Sequence, residues 1–537
     1  MSANVRVDAD HELRKILDRA HQLSRVEHTE RVTSAETRAR LNAHGLDDAE
    51  IERQLATLKW NTASNDTAVL TTYSYLHGLQ HLDDINRKGG QSNPNAAAVL
   101  AIFRGAEICL FTIGTLSMRM LENLKQGRIS EALSNHRWRS GLQQLLYKLS
   151  LLVVEVNPRG VTGARLDIRQ SKIFQMHDAH ARLLRDWLMT NWPEDTADVF
   201  GKDIDDPKRN VFFHEFVNVG DERVWSSMLS NVRVPGVMKL DAESDADFYA
   251  RLVSSDDIAA MATAMDTEVD TDLLPFRVIH QVTEVIAGVV NAQACDSVAR
   301  LLSAPASELD SVYRTLVLGN RLLSAVDDAI KLMMRTLTPH GYGAVRPNLG
   351  MVRGTSSVVL RKTLFNSTYP LLVRALKLRL MNFDVAAAAD GDAVYARANA
   401  LMTDECGDVA LSGIVQQVVI LHQHVRTWRD NHIQLPKTHL GVSGIDGKPT
   451  VSLSGSDSAV DIAHELRKTH VSDPIGPLYR ALLGTNPPEL HETLTPGGFD
   501  EHVAQSTAQA VFNVYEDVQE RFYRRCPMKH GARQQHD

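Results

Sequence analysis

His432 has the clearest potential for chemistry in this sequence, because its imidazole falls on an apolar helical stripe. It lies in the stretch "WRDNHIQLPKTHLG", residues 428–441. Around it, apolar residues recur at alternating steps of four and three, which is typical of a buried helix face; they are Ile414, Val418, Leu421, Val425, Trp428 and Leu435. A buried imidazole is either a core histidine satisfied by hydrogen bonds or a ligand.

Two other segments carry histidines at helical spacing. They are "HDAH" (177–180) and "HELRKTH" (464–470), and both spacings could bind a metal. Neither has a third ligand nearby in the sequence, so each is interpreted as a solvated helix face. The common phosphate-binding, dinucleotide-binding, zinc-protease and serine-hydrolase motifs do not occur in this chain.

Several unrelated features converge on His432. Trp428 precedes it by one helical turn and provides a flat aromatic wall, and a Gly/Ser-rich loop, "GVSGIDGKPTVSLSGSDS", begins at residue 441. One neutral imidazole from a buried helix can hold a haem iron from one side and leave the opposite position open for oxygen. From the residues alone, the core histidine and the haem ligand remain equally plausible.

The elements that position these residues are predicted to be helices. A long helix is expected from about 96 to 126, with one apolar face formed by Cys109, Ile113, Leu116, Met120 and Leu124. An antiparallel partner is expected over 134–156, and further helices over 276–304, 306–336, 358–384 and 392–435. No convincing strand run exceeds five residues and no internal repeat is visible, so the predicted fold class is all-α.

Five regions are predicted along the chain. They are N-terminal helices (1–65), helices on the distal side of the site (66–190), an insertion of mixed helices and loops (191–350), proximal helices with a pocket loop (351–490), and a C-terminal helix and tail (491–537).

Composition excludes several classes of protein. The 537 residues carry a net charge of −8 and are 43% hydrophobic, so no basic field attracts nucleic acid or an anionic membrane. The four cysteines are too scattered for a zinc site and suit a reducing compartment. No signal peptide and no run of 18 apolar residues is evident, which predicts a soluble, cytoplasmic protein.

The segment around His432 resembles the tryptophan 2,3-dioxygenase family, within the wider group of histidine-ligated haem-dependent aromatic oxygenases. The family has W-R-x-x-H with a glycine nine positions after the histidine, and that glycine is Gly441 here. The resemblance implies a helical bundle of this type enclosing haem b, with His432 as the axial iron ligand. Trp428 and Gly455 would lie against the haem.

Three further segments resemble the family in the correct order. "TYSYLHGLQHL" matches a stretch that lends an aromatic residue to the site, which implies Tyr75. "VLAIFRGAEICLFTIGTLSMRMLENL" matches the distal haem helix, and "ARLDIRQSKIFQM" contains the family spacing of nine residues between arginine and phenylalanine. The family's arginine binds the substrate carboxylate, which implies that role for Arg165, because a guanidinium holds a carboxylate bidentately.

A later family loop contacts the substrate ammonium group and a haem propionate. "SLSGSDSAVDI" lies at about the right distance and implies Gly455 and Ser456. "RGTSS" (353–357) competes for this role but precedes His432, which fits the family order poorly.

The chain also departs from the family pattern. Aligning Glu107 with the family's glutamate puts Phe103 where the family has its distal histidine, so the hydrogen bond to the indole N–H cannot form. The chain is also longer than usual family members. The resemblance covers about 150 of the 537 residues, in four separate blocks.

The resemblance implies an oxygenase that inserts O₂-derived oxygen into tryptophan or a related aromatic amino-acid derivative, with ring cleavage across the indole C2–C3 bond. Alternatives are monooxygenation, peroxide-dependent oxygenation or ring rearrangement, as in the wider group. A non-catalytic haem sensor would need His432 but not Arg165, and an all-α scaffold without haem would need neither. The family also implies a homo-oligomer, a dimer or a tetramer.

Overall fold

The fold is that of a computed structural model. The structure describes residues 3–25, 93–157, 162–191, 219–263, 273–338, 358–403, 408–440 and 475–484, together with short pieces between 30 and 70.

Helices dominate the described residues, which confirms the predicted all-α class. The described part of the chain contains fourteen α-helices. They are α1 (Ala3–Leu23), α2 (Pro94–Lys125), α3 (Ile129–Val156), α4 (Lys172–Asn191), α5 (Val219–Met228), α6 (Asp245–Val253), α7 (Ser255–Thr263), α8 (Leu273–Ser303), α9 (Leu309–Thr336), α10 (Tyr369–Leu380), α11 (Val385–Ala389), α12 (Gly391–Thr403), α13 (Val409–Leu440) and α14 (Gly476–Leu483). Short 3₁₀ turns cover Ile168–Gln170 and Ala306–Glu308, and a π-helix covers Val358–Thr368.

The strands among the described residues are short, each of two to four residues. β1 (Glu30–Thr33) and β2 (Trp60–Asn61) both pair antiparallel with β3 (Thr67–Leu70), in the order β1-β3-β2. β4 (Arg165–Leu166) pairs antiparallel with β5 (Val232–Arg233), and Arg165 is opposite Arg233.

Helix α2 forms the centre of the core because almost all of its faces are apolar. Its start is fixed by Asn93, whose Oδ1 accepts from the backbone N–H groups of Asn95 and Ala96 at 3.0 and 3.3 Å. Pro94 occupies the first turn, where its missing N–H costs nothing. The predicted apolar face is buried along its whole length, from Cys109 to Leu124.

Around α2, the other long helices form a bundle. Helices α3, α4 and α8 pack directly on α2. Helix α9 packs between α8 and α13, and it also contacts α3. The position of α13, which carries His432, is therefore set by its contact with α9.

Within the described ranges, two helices are long and apolar enough to cross a membrane by length and composition, namely α2 and Leu274–Ser303 of α8. Their most apolar windows are 89% and 67% buried inside the fold. Their apolar faces are thus largely covered by other parts of the protein.

The predicted helix positions compare well with the structure, with two differences. The helix predicted over 392–435 is split into α12 and α13, and the one over 358–384 begins as a π-helix. The range 191–350, predicted to be an insertion, contains α8 and α9, both of which belong to the main core cluster.

Gly163, just before β4, permits a very close backbone approach. A Cβ at this position would lie 2.0 Å from the carbonyl oxygen of Val234, and a backbone atom cannot rotate away as a side chain can. The neighbouring Ala164 exchanges hydrogen bonds with Val234 and Val237. We expect Gly163→Ala to lower the free energy of unfolding by about 2 kcal/mol, measured by urea denaturation. Gly127→Ala, where a Cβ would meet nothing within 4 Å but φ is also positive, controls for backbone strain alone.

Candidate functional site around His432

Helix α13 presents the stripe that the sequence predicts. Its apolar members from Ile414 to Leu435 are at most 7% exposed, which confirms the predicted buried face. Asn320 of α9 ties the two helices together, because its side-chain nitrogen donates to the backbone carbonyl of Gln417 at 2.9 Å. His432 itself is half-buried, three residues before Leu435.

The imidazole of His432 is held flat against an indole. The rings of Trp428 and His432 are stacked, with centroids 4.8 Å apart and an interplanar angle of 9°. Trp428 in turn meets the ring of Phe365, from the π-helix, edge-on at 5.6 Å. The one-turn spacing of Trp428 and His432 produces this stack, because residues four apart lie on the same helix face.

His432 has a shielded nitrogen without a hydrogen bond. Its Nδ1 is buried and has no partner among the described residues. Burial above all, together with the electrostatic effect of Arg361 and His280, lowers the pKa of His432 to about 3. The imidazole is therefore neutral at physiological pH.

These properties fit one protein ligand to a haem iron. A metal ligand must be a neutral imidazole with an available nitrogen, and His432 meets both conditions. Within the described ranges, no group of three or more His, Cys, Asp or Glu side chains could hold a metal ion. A haem needs only one such side chain, because its porphyrin supplies the other donors.

Sequence reasoning missed three residues near the stacked rings of Trp428 and His432. Arg361 and Phe365 come from the π-helix, and His280 comes from α8. The Nδ1–H of His280 donates to the carbonyl of Phe276 at 2.8 Å, which fixes its tautomer. A π-helix often occurs at a functional site, but no sequence pattern predicted this π-helix.

Among the described residues, Arg165 and Phe103 show no hydrogen bond or ring contact with His432. Arg165 is exposed on β4. Phe103 is fully buried on α2, where its ring meets that of Tyr249 edge-on at 6.0 Å. Tyr75, Gly455 and Ser456 lie outside the described residues.

Next to Phe103, the core contains an unusual polar group. It consists of Glu107, Ser171, Tyr249, Ser254 and Ser255, and is called the Glu107 group below. Both carboxyl oxygens of Glu107 are buried without a hydrogen bond of normal geometry, and so are the hydroxyls of Tyr249, Ser254 and Ser255. Burial raises the pKa of Glu107 to about 7, although the nearby hydroxyls of Ser171, Ser255 and Tyr249 lower it. The carboxyl of Glu107 thus titrates near neutrality in the centre of the protein.

Arg104 lies about one turn before Glu107 on α2. Its Nε and Nη2 donate to the carbonyls of Val253 and Leu252 at 3.2 and 3.0 Å, which caps the end of α6. Burial lowers the pKa of Arg104 to about 10. The guanidinium is committed to backbone groups and does not form an ion pair with Glu107 in the described structure.

The interpretation of "HDAH" as a solvated face is wrong for its first histidine. His177 is 1% exposed and packs against the rings of Phe174 and Trp225. Burial lowers the pKa of His177 to about 3. The second histidine, His180, is half-buried, and its Nδ1 donates to the carbonyl of Gly114 at 3.2 Å. The segment "HELRKTH" lies outside the described residues.

Comparisons with protein-family models, with curated proteins and with solved structures found no match for this chain.

Proposed function

We propose that the protein is a haem-dependent oxygenase that acts on tryptophan or a related aromatic amino-acid derivative. The observation that carries the proposal is the neutral imidazole of His432, whose Nδ1 is shielded from solvent and has no partner among the described residues. The resemblance of the surrounding segment to tryptophan 2,3-dioxygenases supports haem b as the group that this imidazole would bind.

His432 and its neighbours would each have a defined task. His432 would supply the nitrogen that holds the haem, and the flat contact with Trp428 restricts rotation of the imidazole. Phe365, 1% exposed, continues the apolar surface beyond Trp428 and helps to exclude water. When bound, the haem iron would activate O₂, the co-substrate.

A substrate with a carboxylate needs a cation that fixes its position relative to the oxygen. Arg165 has this role by resemblance, but it is exposed on β4. Arg361 is a second candidate, because its charge acts on His432 directly. A guanidinium at that place could hold either the substrate carboxylate or a haem propionate.

The two arginines make a testable contrast. We expect Arg361→Ala to weaken tryptophan binding at least tenfold, about 1.4 kcal/mol, because it removes a charged partner near His432. We expect Arg165→Ala to have a smaller effect. Binding is measured as the change in haem absorption on titration. A large loss with Arg165→Ala and none with Arg361→Ala would restore the assignment based on the resemblance.

By resemblance, Phe103 replaces the family's distal histidine, and this replacement would affect how oxygen is inserted. A phenylalanine cannot accept the indole N–H as the family's histidine does, and this one is packed on Tyr249. Cleavage of the C2–C3 bond by two oxygen atoms is our first proposal. Insertion of one atom, or ring rearrangement, is the alternative that the substitution at Phe103 favours.

The test of the proposed function is the absorption spectrum of protein expressed with a haem precursor, followed by turnover. We expect a Soret band that shifts on addition of tryptophan or substituted indoles. Reaction under isotopically heavy O₂, with the product analysed by mass spectrometry, then counts the oxygen atoms inserted. A colourless protein contradicts haem binding, and a Soret band that no aromatic substrate shifts favours a haem sensor.

We also propose a cytoplasmic homo-oligomer, a dimer or a tetramer. The resemblance supports the oligomer. The scattered cysteines, of which Cys109 and Cys295 are free and buried, support the reducing compartment. Light scattering on the full chain measures its mass.

A further inference from the structure

A cleft of about 480 Å³ opens beside α13 and has no role in the proposed function. Its walls come mainly from α3 and α9, and Asn431 closes it from α13. This volume is within the range of small-molecule sites.

The cleft carries a concentrated positive charge. Lys148, Lys331 and Arg335 line it together with one acid, Asp328, so the lining carries three positive charges and one negative, a net +2. The whole chain has a net charge of −8, so the positive charge of the cleft is opposite in sign to that of the protein. None of the three cations forms an ion pair within 4.0 Å among the described residues, although Asp328 lies three residues from Lys331 in α9.

The floor of the cleft is apolar. Leu145, Leu332 and Met334 line it, and the first two are at most 3% exposed. Gly141 brings α3 close to α9 here, because a Cβ on it would lie 2.4 Å from Cδ1 of Leu332. An apolar floor below a cationic rim fits a ligand with an apolar body and an anionic group.

Asn431, which lines this cleft, has a side-chain donor without a partner among the described residues. The side-chain nitrogen of Asn431 is shielded from solvent and has no hydrogen bond in the described structure. Leaving such a group unsatisfied costs about 1–3 kcal/mol. An oxygen of a bound anion would satisfy it.

The cleft is separate from the surroundings of His432. Consecutive residues of an α-helix point about 100° apart, so Asn431 and His432 face different neighbours. Asn431 reaches α3 and α9, whereas the charges that act on His432 come from Arg361 and His280.

We propose that this cleft binds a small amphipathic anion, an aryl carboxylate or sulfonate, whose charged group meets Lys331, Arg335 and the amide of Asn431. The aromatic body lies on Leu145 and Leu332. This site does not depend on haem.

The experiment is isothermal titration of the purified full-length protein with naphthalene sulfonate, beside its neutral counterpart naphthalene methanol. We expect the sulfonate to bind with a dissociation constant that rises at least tenfold in Lys331→Glu/Arg335→Glu. Binding should also weaken at high salt, because exposed charges are screened. The matched control is Lys125→Glu, an exposed lysine at the end of α2, and it should leave binding unchanged.

A second variant tests whether the ligand binds inside the cleft, without changing the charge of the cleft. Gln144 is exposed on the cleft wall, so Gln144→Trp should fill the space without disturbing the core, and it should also abolish binding. The proposal is overturned if the sulfonate does not bind, if the neutral compound binds equally well, or if neither variant changes the affinity. None of these outcomes bears on the Soret band.

Discussion

Replacing His432 with alanine should abolish the Soret band of protein expressed with a haem precursor. The expected effect is a complete loss of specifically bound haem, because no second described side chain shares the combination of a shielded nitrogen without a partner and a stacked indole. The measurement is the ratio of Soret to protein absorbance after gel filtration. External imidazole should restore part of the band if the cavity left by the side chain admits it.

Two other histidine variants make this result specific. His424 lies two turns earlier on α13 and its Nδ1 pairs with Asp327 at 2.7 Å, so His424→Ala tests for a general effect of losing a histidine from this helix. It should retain the band. His280→Ala tests the other imidazole near His432. If His280→Ala loses the band and His432→Ala keeps it, the ligand is on α8 and our assignment is wrong.

Replacing Glu107 with glutamine should stabilise the protein at alkaline pH. The pKa of Glu107 is about 7 in the folded protein, against an ordinary glutamate value of 4.5. The folded state therefore holds the proton more tightly, and the contribution of this group to stability falls as pH rises from about 4.5 to about 7. Above pH 7, the full pKa shift lowers the free energy of unfolding by about 3 kcal/mol. Glutamine keeps the shape of the side chain without the charge.

The measurement is the difference in free energy of unfolding between Glu107→Gln and wild type at several pH values, in the same state of haem loading. We expect the variant to be close to wild type near pH 4 and about 3 kcal/mol more stable near pH 8. Glu122→Gln, at an exposed position on the same helix, is the matched control. A difference that does not change with pH would refute the assignment of the titration to Glu107.

The free energy of unfolding of the variant must be compared with that of wild type at each pH, because other groups also change stability between about pH 3 and pH 7. Histidines with a lowered pKa make the protein more stable as pH rises, which is opposite to the effect of Glu107. The pKa values of His177 and His432 are lowered to about 3 by burial. Each contributes stability that is present above pH 6.5 and is lost as pH falls toward 3. These contributions are common to wild type and Glu107→Gln, so they cancel.

The sequence alone determined the helical class and the buried face of α13. Both follow from local periodicity, since apolar residues at steps of three and four can be buried only on a helix. Trp428 and His432 are four residues apart, so their contact was also implied locally. The family resemblance added a function, and that function remains a proposal.

Only the tertiary structure decided which distant residues surround these helices. His280 and Arg361 come near His432 because α8 and the π-helix pack into the same core. The positions of these residues in the sequence do not predict that they meet. The Glu107 group likewise gathers side chains from three separate regions around α2. His177 shows the same limit, because the pattern "HDAH" is polar, yet packing against Phe174 and Trp225 buries it. Periodicity fixes the face that a helix buries, whereas long-range packing decides what that face meets.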